Sequence, residues 1–259
     1  MIDVNVSLFR WPFRRLAGDE PAELVRNLRQ KGVTQAWAGS FEALLHRDVS
    51  GVNARLAEAC RRHGPGFLVP FGALNPKQPD WQEDLRRCAE VHQMPGIRLH
   101  PNYHGYTLDD PVVAELLALT ARHKLRVEIA LAMEDERTQY AFMRIPPVDP
   151  TPLLDLLPRL PHLRLALINA GYQGVHSTEH IPELAKTGNI YFDIARIEGI
   201  GGVARLVERT SPRRVLFGSH YPFFYFESAF LKMREAALPE EQTRAILEGN
   251  ARRLLTGGE

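Results

Sequence analysis

Eight short apolar segments, each the length of a β-strand, alternate with amphipathic segments along nearly the whole chain of 259 residues. The apolar segments are residues 2–7, 33–38, 66–73, 96–100, 125–131, 163–169, 189–195 and 214–219. Strands that alternate with helices favour a parallel sheet with each helix crossing back over it. Eight such units predict a single (β/α)8 TIM barrel, which we expect to occupy residues 1–259 as one α/β domain.

Local start and stop signals delimit the helical segments. The segment 19–31 begins at Asp19, a favoured N-cap residue, and stops at Gly32. The connection 132–162 is longer than most and rich in proline, so we predict an irregular excursion over the barrel mouth. An open, doubly wound sheet is the competing architecture, but no glycine-rich nucleotide-binding motif follows the first strand.

The composition argues against several classes of partner and location. The chain has 44% hydrophobic and 24% charged residues and a net charge of +1, so neither nucleic acid nor a membrane surface is expected as a partner. Cys60 and Cys88 fall in predicted helices without metal-ligand spacing and are interpreted as buried thiols in a reducing compartment. No signal peptide or membrane-spanning stretch is visible, so we expect a cytoplasmic protein.

Several short motifs follow one another in a defined order along the predicted strands. They are Ile2-Asp3-Val4 at the first strand, Gly96-Ile97-Arg98-Leu99-His100-Pro101 at the fourth, residues 163–171 at the sixth, 189–193 at the seventh, Leu216-Phe217-Gly218-Ser219 at the eighth, and 246–254 in the closing helix. In order and spacing they resemble the amidohydrolase-related family of the amidohydrolase superfamily, over nearly the whole chain. The resemblance implies a barrel whose active site lies at the C-terminal ends of the strands.

The same resemblance implies where a divalent metal would be held. Family members carry a His-x-His pair at the end of strand 1, a His after strand 5, a His after strand 6 and an Asp after strand 8, which also handles the proton of the attacking water. The matching positions here are Asn5, Ser7, Ala130, Asn169 and His220. Because neutral oxygens bind such metals weakly and alanine offers no ligand, we predict no metal ligands and no cofactor. The alternative is a rebuilt zinc site that uses His100, His220 and Glu128.

Strand alternation selects the side chains that face the predicted barrel mouth. The candidate catalytic residues are His220, His100, Asn169, Ser7 and Asp193, and the candidate substrate-binding residues are Asn5, Arg98, Tyr103, Arg196 and Tyr221. Tyr172 and His176, in the loop after the sixth strand, are further side chains expected near the mouth.

We predict that His220 acts as a general acid or base, because an ordinary imidazole titrates near neutral pH. His100 or Asn169 would polarise a substrate oxygen. Arg98 would hold an anionic group of the substrate, since a guanidinium binds carboxylates and phosphates through two parallel hydrogen bonds.

Two other interpretations of these residues stay open. Ser7, His220 and Asp193 lie on neighbouring predicted strands and match a nucleophile, a base and an orienting carboxylate. The two candidate arginines are otherwise interpreted as internal ion-pair partners of Glu128 or Asp193, because a buried charge requires a counter-charge.

The leading functional prediction is an amidohydrolase-like hydrolase of a small, anionic lactone, amide or ester that works without the family's usual metal. One alternative is a decarboxylase of an aromatic or unsaturated carboxylic acid. Another is a catalytically inactive barrel that binds a ligand or a protein partner. The aromatic run 221–226 is interpreted as an apolar wall of the pocket, a subunit contact or core packing. A homodimer is expected from the family resemblance and from this run.

Overall fold

A computed structural model describes residues 1–171 and 180–257 of the chain, and its fold is a (β/α)8 TIM barrel. Eight parallel strands follow one another in chain order around the barrel. They are β1 Ile2–Leu8, β2 Gln35–Ser40, β3 Leu68–Ala73, β4 Gly96–Leu99, β5 Arg126–Ala130, β6 Arg164–Ile168, β7 Asn189–Asp193 and β8 Val215–Leu216. This confirms the barrel prediction and shows that the doubly wound alternative is wrong.

Helices lie between and after the strands. They are α1 Pro21–Gln30, α2 Val49–His63, α3 Trp81–Arg86, α4 Pro101–His104, α5 Pro111–Arg122, α6 Leu153–Leu156, α7 Ile181–Thr187, α8 Gly202–Arg209, α9 Phe226–Glu235, α10 Glu240–Arg244 and α11 Asn250–Thr256. Within the described residues, no helix combines the length and the apolar character needed to cross a bilayer.

The start of α1 differs from the prediction. Glu20 rather than Asp19 occupies the N-cap position, and its side chain makes no capping hydrogen bond. The Asp19 carboxylate instead accepts hydrogen bonds from the Arg15 guanidinium at 2.7 and 2.8 Å and from the backbone N–H of Leu16 at 3.2 Å. The expectation of an Asp19 cap was therefore wrong, because local contacts with Arg15 and Leu16 in the preceding loop use both carboxylate oxygens.

The ring of strands is joined between β1 and the segment that follows β8. The backbone N–H of Val4 donates to the carbonyl of Phe217 at 3.0 Å, and that of Ser7 donates to Tyr221 at 3.0 Å. The backbone N–H of Phe217 itself bonds to Ile246, in the C-terminal helical region. This contact explains why β8 ends at Leu216, earlier than the apolar run predicted.

Apolar side chains fill both sides of the strand layer. Inside the barrel, Trp37 of β2 stacks on Phe71 of β3 with ring centroids 5.0 Å apart. Outside it, the helices bury a second cluster, to which α1 contributes Leu24 and Leu28. Because the interior is filled with side chains, ligand chemistry is confined to the two ends of the barrel.

The predicted excursion after β5 contains the short helix α6, while residues 141–150 form neither helix nor strand. Two hydrogen bonds attach the excursion to the segments that follow β5 and β4. The backbone N–H of Val148 donates to Leu131 at 2.8 Å, and the Asn102 amide donates to the carbonyl of Pro146 at 2.9 Å. These contacts hold the excursion beside the C-terminal ends of β4 and β5.

Candidate active site

Buried polar side chains collect at the C-terminal ends of the strands. The structure places six of the predicted site residues there, each no more than 2% exposed: Asn5, Ser7, His100, Asn169, Asp193 and His220. Burial of so many polar groups in one place is costly unless they are hydrogen-bonded or meet a ligand.

Asn5, Asn169 and Asp193 form one hydrogen-bonded network across β1, β6 and β7. The Asn5 amide nitrogen donates to Oδ1 of Asn169 at 2.8 Å and to Oδ2 of Asp193 at 2.7 Å. The other Asp193 oxygen accepts the backbone N–H of Asn169 at 2.8 Å. Burial raises the pKa of Asp193 to about 6, although these hydrogen bonds act in the opposite direction. The network fixes the Asn169 side chain, whose Nδ2 has only the Met133 sulfur, 3.9 Å away, as a partner in the described residues.

His220 is fully buried at the end of β8, with the left-handed backbone conformation φ +58°. Its Nε2 lies 2.7 Å from the carbonyl oxygen of Met133. A carbonyl only accepts, so Nε2 carries the proton and Nδ1 presents a lone pair. Nδ1 is buried and has no hydrogen-bond partner within residues 1–171 and 180–257. Burial lowers the pKa of His220 to about 3, so the ring is neutral at physiological pH.

His100 is a second buried imidazole, at the end of β4. Its Nδ1 likewise meets no hydrogen-bond partner in the part of the chain that the structure describes. Burial, together with the neighbouring His104 and the positive charge of Arg98, holds the pKa of His100 well below its ordinary value. Two neutral imidazoles with unused ring nitrogens therefore lie at the mouth.

The three residues of the possible Ser–His–Asp arrangement make their hydrogen bonds elsewhere. The Ser7 hydroxyl contacts Nη1 of Arg98 at 3.4 Å, and His220 bonds to the Met133 carbonyl. Asp193 bonds to Asn5 and Asn169, as described above. The structure brings all three residues to one end of the barrel but does not connect them as a triad.

Arg98 occupies an internal ion pair. Its Nε donates to Oε2 of Glu128 at 2.7 Å, and both side chains are 1% exposed. The remaining guanidinium N–H groups face the Ser7 hydroxyl and the backbone carbonyls of Val4, Val6 and Trp37. With all five N–H groups engaged inside the barrel, this geometry favours the ion-pair interpretation over the predicted role in holding a substrate anion.

The other candidate binding residues lie around the rim. Arg196 is 2% exposed, and its guanidinium carbon lies 5.8 Å from the centre of the Phe224 ring. Burial raises the pKa of Tyr103 and lowers that of His220, while the nearby charge of Arg196 acts to lower both, so Arg196 belongs to the same polar group as these residues. Tyr221 instead accepts a hydrogen bond from the amide of Asn27 in α1 at 3.0 Å. Tyr172 and His176 lie outside the described residues.

The aromatic wall at the mouth contains Phe223, which belongs to the predicted run 221–226, together with Trp11 and Phe41, which were not predicted. Trp11, in the loop after β1, packs edge-to-face on Phe41 at 5.2 Å and on Phe223 at 4.9 Å. The Phe223 ring also stacks on His220, with centroids 5.0 Å apart. The signal available in the sequence was Trp11-Pro12-Phe13 directly after the first strand, because the loops that follow barrel strands surround the active site.

A cleft of about 580 Å³ lies next to this wall, between the loop after β1 and the segment after β8. Arg14, Gly18, Asn27, Tyr221 and Phe223 are among the residues that line it. The half-buried Phe223 ring thus separates the cleft from the buried His220 imidazole.

The comparisons with known proteins agree with this architecture. A family model described as amidohydrolase matches residues 10–256. The chain belongs to the amidohydrolase family. No curated protein matches the sequence. In TIM-barrel enzymes the active site lies at the C-terminal ends of the strands, which is where the residues described above lie.

Solved amidohydrolase-fold structures resemble the chain over 98% of its length. The 5-carboxyvanillate decarboxylase of Sphingomonas paucimobilis is 16% identical, with a TM-score of 0.75 and 98% of its own chain covered. A manganese-bound dihydroxybenzoic acid decarboxylase of Polaromonas sp. JS666 is 14% identical, with a TM-score of 0.68 and 97% covered. A probable 2-pyrone-4,6-dicarboxylic acid hydrolase of Acinetobacter baumannii is 14% identical, with a TM-score of 0.68 and 98% covered. At such identities the likeness concerns the fold.

The donor groups of this chain do not fit the metal site that the family implies. Asn5 could offer a metal only a neutral amide oxygen, because its nitrogen donates to Asn169 and Asp193, and Ala130 offers no donor atom. Among the described residues, no group of three or more His, Cys, Asp or Glu side chains is arranged to hold a metal ion. The alternative site from His100, His220 and Glu128 is not such a group either, since Glu128 is the partner of Arg98.

Asp3, directly below this site in β1, makes stability depend on pH. Its carboxylate accepts the backbone N–H groups of Asn5 at 3.1 Å and Ser219 at 3.0 Å, and the Ser219 hydroxyl at 2.5 Å. Burial nevertheless raises the pKa of Asp3 to about 7 from 3.8. The folded state therefore holds a proton that the unfolded state releases, and this stabilisation is lost as the pH rises through 7.

We expect wild type to lose roughly 2–3 kcal/mol of unfolding free energy relative to Asp3→Asn between pH 5 and pH 8, since each pKa unit corresponds to about 1.4 kcal/mol. Urea denaturation at several pH values measures this difference. The exposed Asp109→Asn serves as the matched control, with a pH dependence like that of wild type. Parallel pH profiles for wild type and Asp3→Asn would contradict the assignment.

Proposed function

We propose that the barrel mouth binds a small anionic molecule with a planar apolar body and hydrolyses its ester, lactone or amide bond without a divalent metal. The observation that carries this proposal is the buried Nδ1 of His220, a hydrogen-bond acceptor with no partner in the described residues. A native protein rarely buries such a group without a ligand or water to satisfy it.

The surroundings of His220 favour an anionic, planar ligand. Arg196 supplies a buried positive charge in the same polar group. Trp11, Phe41 and Phe223 supply an aromatic wall against which a flat molecule gains both apolar contact and ring stacking. A carboxylate beside Arg196 would place the reacting part of the ligand near His220.

In the proposed reaction, His220 is the general base. Nδ1 accepts a proton from water while the water oxygen attacks the substrate carbonyl carbon, and the proton is then returned to the leaving oxygen or nitrogen. A pKa of about 3 makes the imidazole of the ligand-free site a weak base. A bound anion next to it favours the imidazolium form and raises the pKa towards neutrality, so the substrate itself would activate the base.

Asn169 is the proposed oxyanion donor. Its Oδ1 is fixed by Asn5 at 2.8 Å, while its Nδ2 has only the weak acceptor Met133 sulfur as a partner among the described residues. An amide N–H held in this way can donate to the negative charge that develops on the carbonyl oxygen. Asn5 and Asp193 then act as positioning residues for Asn169.

Decarboxylation is the second candidate, favoured by the enclosed and largely aromatic surroundings of His220. Loss of CO2 breaks the bond between the ring carbon and the carboxyl carbon and leaves the electron pair on the ring carbon. That carbon then takes a proton from Nδ1 of His220, which the imidazole has accepted from solvent when the anionic substrate binds beside it. An apolar, water-poor site suits this reaction, because it disfavours the concentrated charge of the carboxylate.

One assay series distinguishes these functions. Protein purified in the presence of a chelator is tested against aryl esters, lactones, amides and hydroxybenzoic acids, with product and CO2 measured separately. We expect turnover that is unchanged by chelator and by added manganese or zinc. Turnover only with added metal would contradict metal independence. Saturable binding of an aromatic carboxylate without any turnover would instead assign a ligand-binding barrel.

A further inference from the structure

Three arginines converge at the N-terminal end of the barrel, opposite the candidate active site. Arg126 begins β5, Arg164 begins β6, and Arg214 directly precedes β8. By strand alternation they share the interior face with Glu128, Ala166 and Leu216, which follow them by two residues. The N-terminal end of the barrel therefore carries a group of positive charges that the proposed function does not use.

Arg164 is the least satisfied member of this group. Its Nη1 is buried and makes no hydrogen bond within the described part of the chain. Its guanidinium lies directly against Gly257, just after α11, where a Cβ atom would collide with it. The guanidinium is thus held in one place by packing, while its buried Nη1 makes no hydrogen bond to any described residue.

Arg126 and Arg214 direct their charge to the same end of the barrel. Nε of Arg126 donates to the carbonyl of Leu254 in α11 at 3.2 Å, and the charge of Arg164, together with burial, lowers the pKa of Arg126. The Arg214 guanidinium carbon lies 5.5 Å from the centre of the Tyr191 ring. Tyr191 belongs to β7, between the strands of Arg164 and Arg214.

Within the part of the chain that the structure describes, these positive charges lack a counter-charge. Among residues 1–171 and 180–257, the ion pairs shorter than 4.0 Å do not include Arg126, Arg164 or Arg214. Like charges on adjacent strands repel one another, and a half-buried position screens them less than open water does. An anion with several oxygens would relieve this repulsion and satisfy the unused N–H groups together.

We propose that the N-terminal end of the barrel, between β5, β6 and α11, is a binding site for a small multivalent oxyanion, with Arg164 and Arg126 as its principal ligands. The chemistry shared by candidate ligands is a cluster of negatively charged oxygens, found in phosphate groups and in polycarboxylates. The site lies at the opposite end of the barrel from His220, so binding of the oxyanion does not depend on the proposed reaction. Its expected effect is to stabilise the folded protein.

Thermal unfolding in the presence of inorganic phosphate tests the site. We expect phosphate to raise the Tm saturably, by about 5 °C or more at a hundred times its Kd, beyond the effect of NaCl at equal ionic strength. Arg164→Met should abolish this increase. Arg26→Met, an exposed arginine of α1 on the opposite side of the barrel, should keep it. An equal shift with NaCl, or an undiminished phosphate shift in Arg164→Met, would overturn the proposal.

Two further measurements keep the test decisive. Arg164→Lys keeps the charge but loses the two-pronged hydrogen bonding, so we expect phosphate to bind at least about tenfold more weakly, as measured by calorimetry, even if Arg164→Met does not fold. Citrate in place of phosphate distinguishes the two sources of oxyanion. Saturable stabilisation by phosphate alone assigns a phosphate site, and stabilisation by citrate alone assigns a polycarboxylate site. No saturable stabilisation by either ion would refute the site.

Discussion

Replacing Arg98 by Met should lower the free energy of unfolding by about 3–5 kcal/mol, because the change leaves the Glu128 carboxylate buried without its counter-charge. Glu128 is 1% exposed and lies 2.7 Å from Nε of Arg98. The substitution also removes the donors that bind the carbonyls of Val4, Val6 and Trp37. Denaturation by urea or guanidinium, followed by far-ultraviolet circular dichroism, measures the loss.

The double variant Arg98→Met/Glu128→Gln separates the loss of the counter-charge of Glu128 from the loss of the donors to the backbone carbonyls. It removes both charges, so we expect it to recover a substantial part of the stability that Arg98→Met loses. The surface pair Arg55–Glu42, whose side chains are 43% and 34% exposed, provides the matched control. Arg55→Met should cost less than about 1 kcal/mol. A cost for Arg98→Met no larger than that of Arg55→Met would show that the buried pair contributes nothing specific.

The second large effect concerns His220. If the proposed reaction is catalysed, His220→Ala should reduce kcat by about 10²- to 10⁴-fold, which is the usual contribution of a positioned general base. His220→Gln should lose a similar factor while keeping a donor to the Met133 carbonyl, since glutamine has a terminal amide N–H but no basic nitrogen. Steady-state kinetics on a substrate identified in the assay series gives both values.

Two controls make the His220 result specific. The exposed His162, near the N-terminal end of the barrel, should be replaceable by Ala without a change in kcat. Added imidazole should restore part of the activity of His220→Ala, because it supplies the missing base in the space that the substitution opens. Full activity in His220→Gln would exclude a role for His220 in proton transfer and would leave it a packing residue against Phe223.

The agreement between sequence and structure is best for the strands. Predicted segments such as 189–195 and 96–100 match β7 and β4 within two residues at either end, because a run of apolar residues of that length has few ways to be buried. The exception at β8 has a tertiary cause. Phe217 pairs with Ile246, nearly thirty positions further along the chain, and no local pattern specifies such a contact.

Within the candidate site, the sequence predicted which side chains gather at the strand ends but not which hydrogen-bond partners they have. His220, Asn5 and Asn169 were identified from the ends of apolar runs, where side chains of a parallel barrel meet. The Met133 carbonyl, 87 positions earlier in the chain, accepts from Nε2 of His220. This contact leaves Nδ1 as the ring nitrogen without a partner among the described residues. Trp11 was missed because its role depends on packing against Phe223, and the residue itself carries no titratable group.

The sequence by itself determined the (β/α)8 architecture and the residue types at the positions where the family resemblance implies metal ligands, because periodicity and residue identity are local properties of the chain. The tertiary structure alone decided that Arg98 serves Glu128 rather than a ligand, that Asn5 links Asn169 to Asp193, and that Arg126 and Arg164 meet at the other end of the barrel. The physical reason is that a charge or a hydrogen bond acts over a few ångströms, whereas these partners lie between 30 and 188 positions apart in the chain. Only the folded barrel brings them within that distance.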